Sequence, residues 1–127
     1  MATTTRTRVV QAHQVVFDQV EILQADLFTR VLGLTVADVS LVLTHNNVSV
    51  DWPLLSGVGV TDALVSSGQV YWNELSSGAY GLRFFPNALG TWILEVSYPV
   101  GTPAQRITVT YDAFNPPPVV DSLRATL

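Results

Sequence analysis

Trp92, Leu94, Val96 and Tyr98 recur at every second position, and Thr91, Glu95 and Ser97 fill the places between them. This alternation is the strongest constraint on the fold, because side chains two apart share one face of a β-strand but scatter around a helix. The pattern returns in Tyr80, Leu82 and Phe84 around Arg83, and in Ile107, Val109 and Tyr111 opposed by Thr108, Thr110 and Asp112. It returns again in Val39, Leu41 and Leu43 opposite Ser40 and Thr44, where Val42 breaks the polar side. Each row can line one wall of a shared core, so residues 28–112 read as β throughout.

Turn residues fall between the rows. His45-Asn46-Asn47 separates two alternating runs, and asparagine tolerates the positive φ of a tight hairpin. Ser67-Gly68, Ser77-Gly78, Pro86-Asn87 and the run Pro99-Val100-Gly101-Thr102-Pro103 are further breaks. The predicted strands span roughly 19–24, 27–35, 38–45, 48–53, 58–65, 69–75, 79–85, 91–98 and 105–112, with one or two short or irregular, so about seven or eight in all. Short strands at this spacing predict an antiparallel sandwich over residues 19–114.

The two ends read differently. Val9, His13, Val16, Val20, Leu23 and Leu27 imitate a helical stripe, but Val9, Val10, Val15, Val16, Val20 and Ile22 are all β-branched and favour extended chain. Residues 1–18 are therefore predicted to form an extended arm. Residues 115–127 are predicted to form a tail: Asn115-Pro116-Pro117-Pro118 cannot continue a ladder and favours polyproline II, and Val119, Val120, Leu123 and Leu127 follow as apolar contacts. Val9, Val15 and Phe17 in the arm, with Leu123 and Leu127 in the tail, are the expected subunit contacts.

Composition narrows the chemistry. The 127 residues suit one domain with one core. No cysteine is present, which excludes disulfides and thiolate metal sites. Only 13% of residues are charged. That is low for a free surface, and implies either coverage by partners or a neutral surface of Thr, Ser and Asn. The six basic residues are all arginine, scattered apart from Arg6 and Arg8, and the net charge is −4. Such a chain cannot present the clustered cations that nucleic acid demands. The N-terminal stretch lacks the apolar region of a secretory signal, and no run reaches the ~18 apolar residues of a membrane span, so a product made in the cytoplasm is expected.

Catalytic constellations are not apparent. His13 and His45 are the only imidazoles, and His45 reads as part of a turn. No nucleophile elbow surrounds a serine. Asp51, Asp62, Glu74 and Glu95 are isolated on or near strands, where solvent-facing charge explains each. No metal-ligand spacing and no phosphate-cradling glycine loop occurs, so neither catalytic residues, metal nor cofactor are expected. Of the three tryptophans, Trp72 and Trp92 are in phase with Val70 and Leu94, and are expected in the core. Trp52, before Pro53, is the freest, and with Tyr71 it could form an exposed aromatic platform for sugars.

The stretch Ser77-Gly78-Ala79-Tyr80-Gly81-Leu82-Arg83-Phe84-Phe85-Pro86-Asn87-Ala88-Leu89-Gly90-Thr91-Trp92-Ile93-Leu94-Glu95-Val96 resembles the last strands of immunoglobulin-like modules. Tyr80 and Trp92 are expected to pair across a hairpin there. Such modules recur in small structural proteins of tailed bacteriophages: neck or head–tail connectors, capsid decoration and baseplate components. The resemblance implies an immunoglobulin-like sandwich and a non-enzymatic virion subunit, held in a ring or lattice of copies and other virion proteins through its arm and tail. It lacks the Cys…Trp…Cys core of antibody domains. A carbohydrate-binding or adhesion module is the alternative.

Overall fold

A computed structural model describes residues 2–24, 29–57, 59–101 and 103–115. Among the described residues nine strands run in order: β1 (Ala2–Gln11), β2 (Val16–Glu21), β3 (Ser40–His45), β4 (Val48–Val50), β5 (Leu54–Ser56), β6 (Val70–Ser76), β7 (Ala79–Phe84), β8 (Gly90–Tyr98) and β9 (Gln105–Phe114). They form a five-stranded sheet ordered β1-β9-β8-β3-β4 and a four-stranded sheet ordered β2-β7-β6-β5. Most pairs are antiparallel, but β1 lies parallel to β9 and β5 parallel to β6.

The alternating rows become the core. Tyr80, Leu82 and Phe84 from one sheet meet Trp92, Leu94, Val96, Ile107, Val109 and Tyr111 from the other, all buried. Trp72 is buried too, as its phase predicted. Phe84 bridges the layers, its ring centroid 5.1 Å from Tyr111 and 6.2 Å from Trp92. The His45-Asn46-Asn47 turn is a tight hairpin between β3 and β4, with Asn46 and Asn47 at φ 50° and 66°. Two consecutive left-handed residues match the right-handed twist of the flanking strands.

Residues 1–18 depart from the predicted arm. Residues 2–11 and 16–18 are extended, with a turn between them, but they belong to the sandwich: Ala2–Gln11 pairs with Gln105–Phe114 along its whole length, and Val16–Glu21 pairs with Ala79–Phe84. Val10, Ala12, Val16 and Val20 are core residues. β1 carries no apolar alternation, only Thr and Arg between Ala2 and Val9-Val10, so hydrophobic periodicity could not reveal it.

The strand predicted over 27–35 is not seen at residues 29–35, which are irregular apart from a bridge between Leu23 and Arg30. They are pinned from below: Trp72 Nε1 donates to the Leu34 carbonyl at 3.2 Å, and the Tyr80 hydroxyl donates to the Val31 carbonyl at 2.5 Å. The strand predicted over 58–65 is not seen at residues 59–65, where a 3₁₀ turn forms at Asp62–Leu64. The predicted 48–53 strand stops at Val50, where the chain crosses from one sheet to the other. Tyr80 and Trp92 do not pair either, because β7 and β8 lie in opposite sheets. Tyr80 stacks instead on Trp72 at 4.7 Å, and Trp92 on His45 at 4.4 Å.

Candidate interaction surfaces

β1 and β2 are the neighbouring edges of the two sheets, and charged side chains stitch them together. Asp18 on β2 points inward and is buried. Its carboxylate accepts from Arg6 Nη2 at 2.7 Å and from the Tyr111 hydroxyl at 2.9 Å, and lies 3.4 Å from Arg8 Nη1. A buried carboxylate needs such partners, since desolvating it unpaired is costly. The arginines also reach the backbone of β2: Arg8 donates to the Phe17 carbonyl at 2.7 Å and Arg6 to the Gln19 carbonyl at 3.0 Å. Burial first, then the adjacent Asp18 carboxylate, push the Tyr111 phenol well above its ordinary value. Beside this seam opens a groove of about 450 Å³ that includes Thr4, Arg6, Val20, Leu23, Gln105 and Ile107.

The outward face of the four-stranded sheet is more apolar. Cross-strand register aligns Phe17, Arg83, Tyr71 and Leu55 in one row across all four strands. The Arg83 guanidinium sits 4.7 Å from the Phe17 ring centroid, a cation–π contact. It is held there by Asp62 at 3.0 Å and Asn73 at 3.3 Å. In the next row stands Gly81, where an added Cβ would lie 3.0 Å from Phe17 Cε2 and 3.1 Å from Leu75 Cδ2. The missing side chain lets Phe17 and Leu75 lean over the strand. Both remain more than a third exposed, at 38% and 41%.

Of the residues expected at interfaces, Phe17 and Tyr71 are thus brought into one row. Val9 is 71% exposed on the opposite sheet, at the far end of β1. Val15 is half-buried in the β1–β2 connection. Leu123 and Leu127 lie outside the described residues. Trp52 is half-buried rather than exposed: it sits on the crossover between β4 and β5, with its ring 5.3 Å from Trp92. Tyr71 is also half-buried, and its hydroxyl donates to Gln69 Oε1. Arg83, Leu55, Leu75 and Gly81 were not anticipated. Only Gly81 left a signal, as a glycine inside a strand often marks close approach by a neighbour.

The titratable groups weighed for catalysis are spread apart. His45 bonds the Leu89 carbonyl at 2.7 Å, and His13 packs edge-on to Phe85. Glu74 accepts from the Gly33 and Gly78 amides, Glu95 pairs with Arg106 and Asp62 with Arg83. Among the described residues no cluster of three or more His, Asp or Glu could hold a metal ion, and no helix is long and apolar enough to cross a membrane.

No protein-family model and no curated protein matches the chain. Solved structures do. The filamin domain of Lin-41 aligns over 85% of this chain and 84% of its own, at 14% identity and a TM-score of 0.50. Titin M4 aligns over 86% and 88%, at 12% identity and 0.46, and a chain of the titin M10–obscurin-like 1 Ig complex over 92% and 93%, at 12% and 0.41. The fold is immunoglobulin-like. In that frame β2, β7 and β6 stand for strands B, E and D, and β3, β8 and β9 for C, F and G. The first strand is not part of the B–E–D sheet and runs parallel to the last. At these identities the likeness concerns the fold alone.

Proposed function

We propose that this chain is a non-enzymatic structural subunit that assembles with neighbouring proteins, of the virion type that the sequence resemblance implies: a neck, head–tail connector or capsid decoration component. The observation that supports assembly is the row Phe17–Arg83–Tyr71–Leu55 with Leu75 beside it. Partly exposed aromatic and aliphatic groups around a pre-oriented arginine are the composition of interface centres. Arg83 is already fixed by Asp62 and Asn73, so docking costs little side-chain ordering there. The glycan-binding reading has no comparable support, since Trp52 is packed on Trp92.

The test is incorporation. Wild-type chain is expected at fixed stoichiometry in purified virus particles, with Phe17 and Tyr71 covered by a neighbour in a particle map. A Phe17→Asp, Leu75→Asp double variant should fold, as judged by circular dichroism, and fail to be incorporated. Particles that lack the chain, or that accept the double variant as readily as wild type, would overturn the proposal.

A further inference from the structure

The sandwich guards its edges unevenly. An exposed edge strand is a template for pairing, and proteins blunt it by shortness, charge, proline or a bulge. β4 and β5 are three residues each. β2 has its Phe17 and Gln19 carbonyls occupied by Arg8 and Arg6. β1 has only charge among these devices, Arg6 and Arg8, and both guanidinium groups are turned to Asp18. The strand is ten residues long, its register against β9 is unbroken, and it contains no proline and no lysine. Four threonines and two valines make it strongly β-forming. Among the described residues no strand pairs with it on the side away from β9. An edge strand in a parallel ladder still turns alternate N–H and C=O groups outward.

We propose that this edge pairs with the β1 edge of a second copy, antiparallel across a two-fold axis, to make one continuous ten-stranded sheet. The pairing rests on the assembling role proposed above, but uses a different surface. The sequence of β1 restricts the register to those that keep arginines apart, and of these the one centred on Thr5 pairs the most residues. Residues directly opposite must share a face, so odd positions meet odd and even meet even. Centring the axis on Arg6 sets Arg6 against Arg6, and centring it on Thr7 sets Arg6 against Arg8. Like charges directly opposite are unfavourable. Centring it on Thr5 avoids every arginine–arginine pair: Thr3 then meets Thr7, Thr5 meets Thr5, and Thr4 meets Arg6. Thr3, Thr5 and Thr7 are exposed on the outward face, where threonine pairs stabilise a ladder. Arg6 and Arg8 meanwhile turn inward to Asp18, which offsets their charge. An isologous contact of this kind closes on itself as a dimer.

Because the chain has no cysteine, the axis can be read directly. In sedimentation equilibrium across a wide dilution series, the full chain should reach twice its 13.8 kDa mass. Thr5→Cys should oxidise to a disulfide-linked dimer, whereas Val42→Cys, exposed on the same sheet but remote from the axis, should not. Thr5→Lys sets two ammonium groups against each other and should weaken the dimer about tenfold, with unchanged urea stability at dilutions where both chains are monomeric. A monomer at every concentration, a dimer indifferent to Thr5→Lys, or a dimer that Thr5→Cys fails to link would each overturn the pairing. A Phe17→Asp, Leu75→Asp chain should still dimerise, so failure of the four-stranded face and failure of the β1 edge are told apart.

Discussion

Tyr111 and Asp18 lie 93 residues apart in sequence, and the Tyr111 hydroxyl donates to the Asp18 carboxylate at 2.9 Å, joining the last strand of one sheet to the first strand of the other. Removing Asp18 strands the buried Tyr111 hydroxyl, whereas removing the hydroxyl leaves Asp18 its two arginines. Asp18→Ala leaves the Tyr111 hydroxyl unpaired and is expected to cost about 2–3 kcal/mol, while Tyr111→Phe loses one bond to a charged group and is expected to cost about 1.5–2 kcal/mol. The double variant should lose less than the sum, because the two share one interaction. Urea denaturation of the three variants measures all of this.

The same pair sets an alkaline limit on stability. Burial holds the Tyr111 phenol above its ordinary value, and burial likewise raises Tyr80. An unfolded chain ionises its tyrosines near pH 10, and these two ionise at higher pH in the fold. Unfolding then releases protons, so stability is fully present below about pH 10 and falls as pH rises beyond it, by at most about 1.4 kcal/mol per pH unit per tyrosine. Unfolding free energies taken from pH 8 to 12 should show this decline, and Tyr111→Phe should make it shallower.

The β3–β4 hairpin can be improved at one position. Asn46 Oδ1 accepts from the Thr91 amide at 2.9 Å and must stay, but the Asn47 side chain is exposed at φ 66°. Glycine carries no Cβ penalty in that conformation, and Asn-Gly is the preferred pair for such a turn. Asn47→Gly is expected to stabilise the fold by about 0.5 kcal/mol, which thermal melting would register as a rise of a few degrees.

Gly78 permits no such freedom. It has φ 77°, and an added Cβ would lie 2.3 Å from Arg30 Cβ. Gly78→Ala must displace backbone that Glu74 also holds, through bonds to the Gly33 and Gly78 amides. A loss of about 2–3 kcal/mol is expected, read from the urea midpoint.

The four apolar rows were legible because each repeats every second residue, and burial follows that phase from Tyr80 through Tyr111. The hairpin at Asn46-Asn47 was legible because few residues accept two successive positive φ angles. β1 was not legible, since Thr and Arg alternate without an apolar face and its partner lies 103 residues onward. Only the fold shows that Arg6 and Arg8, whose side chains stay 44% and 40% exposed, pair with the buried Asp18 carboxylate. The outward row of the four-stranded sheet was half legible: Phe17 and Tyr71 were singled out separately, but the register that places Arg83 between them is a tertiary fact.

The first strand also changes what truncation should do. A detachable arm could be removed without harm, whereas deleting residues 2–16 removes the whole β1 ladder together with Val10, Ala12 and Val16 from the core. A domain of this size holds only about 5–15 kcal/mol of net stability. The truncated chain is expected to be unfolded, which circular dichroism would show as loss of the sheet signal.

Parallel pairing of β1 with β9 sets Ala2 beside Gln105 and Gln11 beside Phe114. Ala2 and Phe114 therefore lie at opposite ends of the sandwich, roughly 30 Å apart along ten residues of strand. Tension applied through those two points drags the strands past each other lengthwise instead of peeling them open. Every bond of the seam then carries load at the same moment, and the joint behaves as a shear fastener rather than a zip.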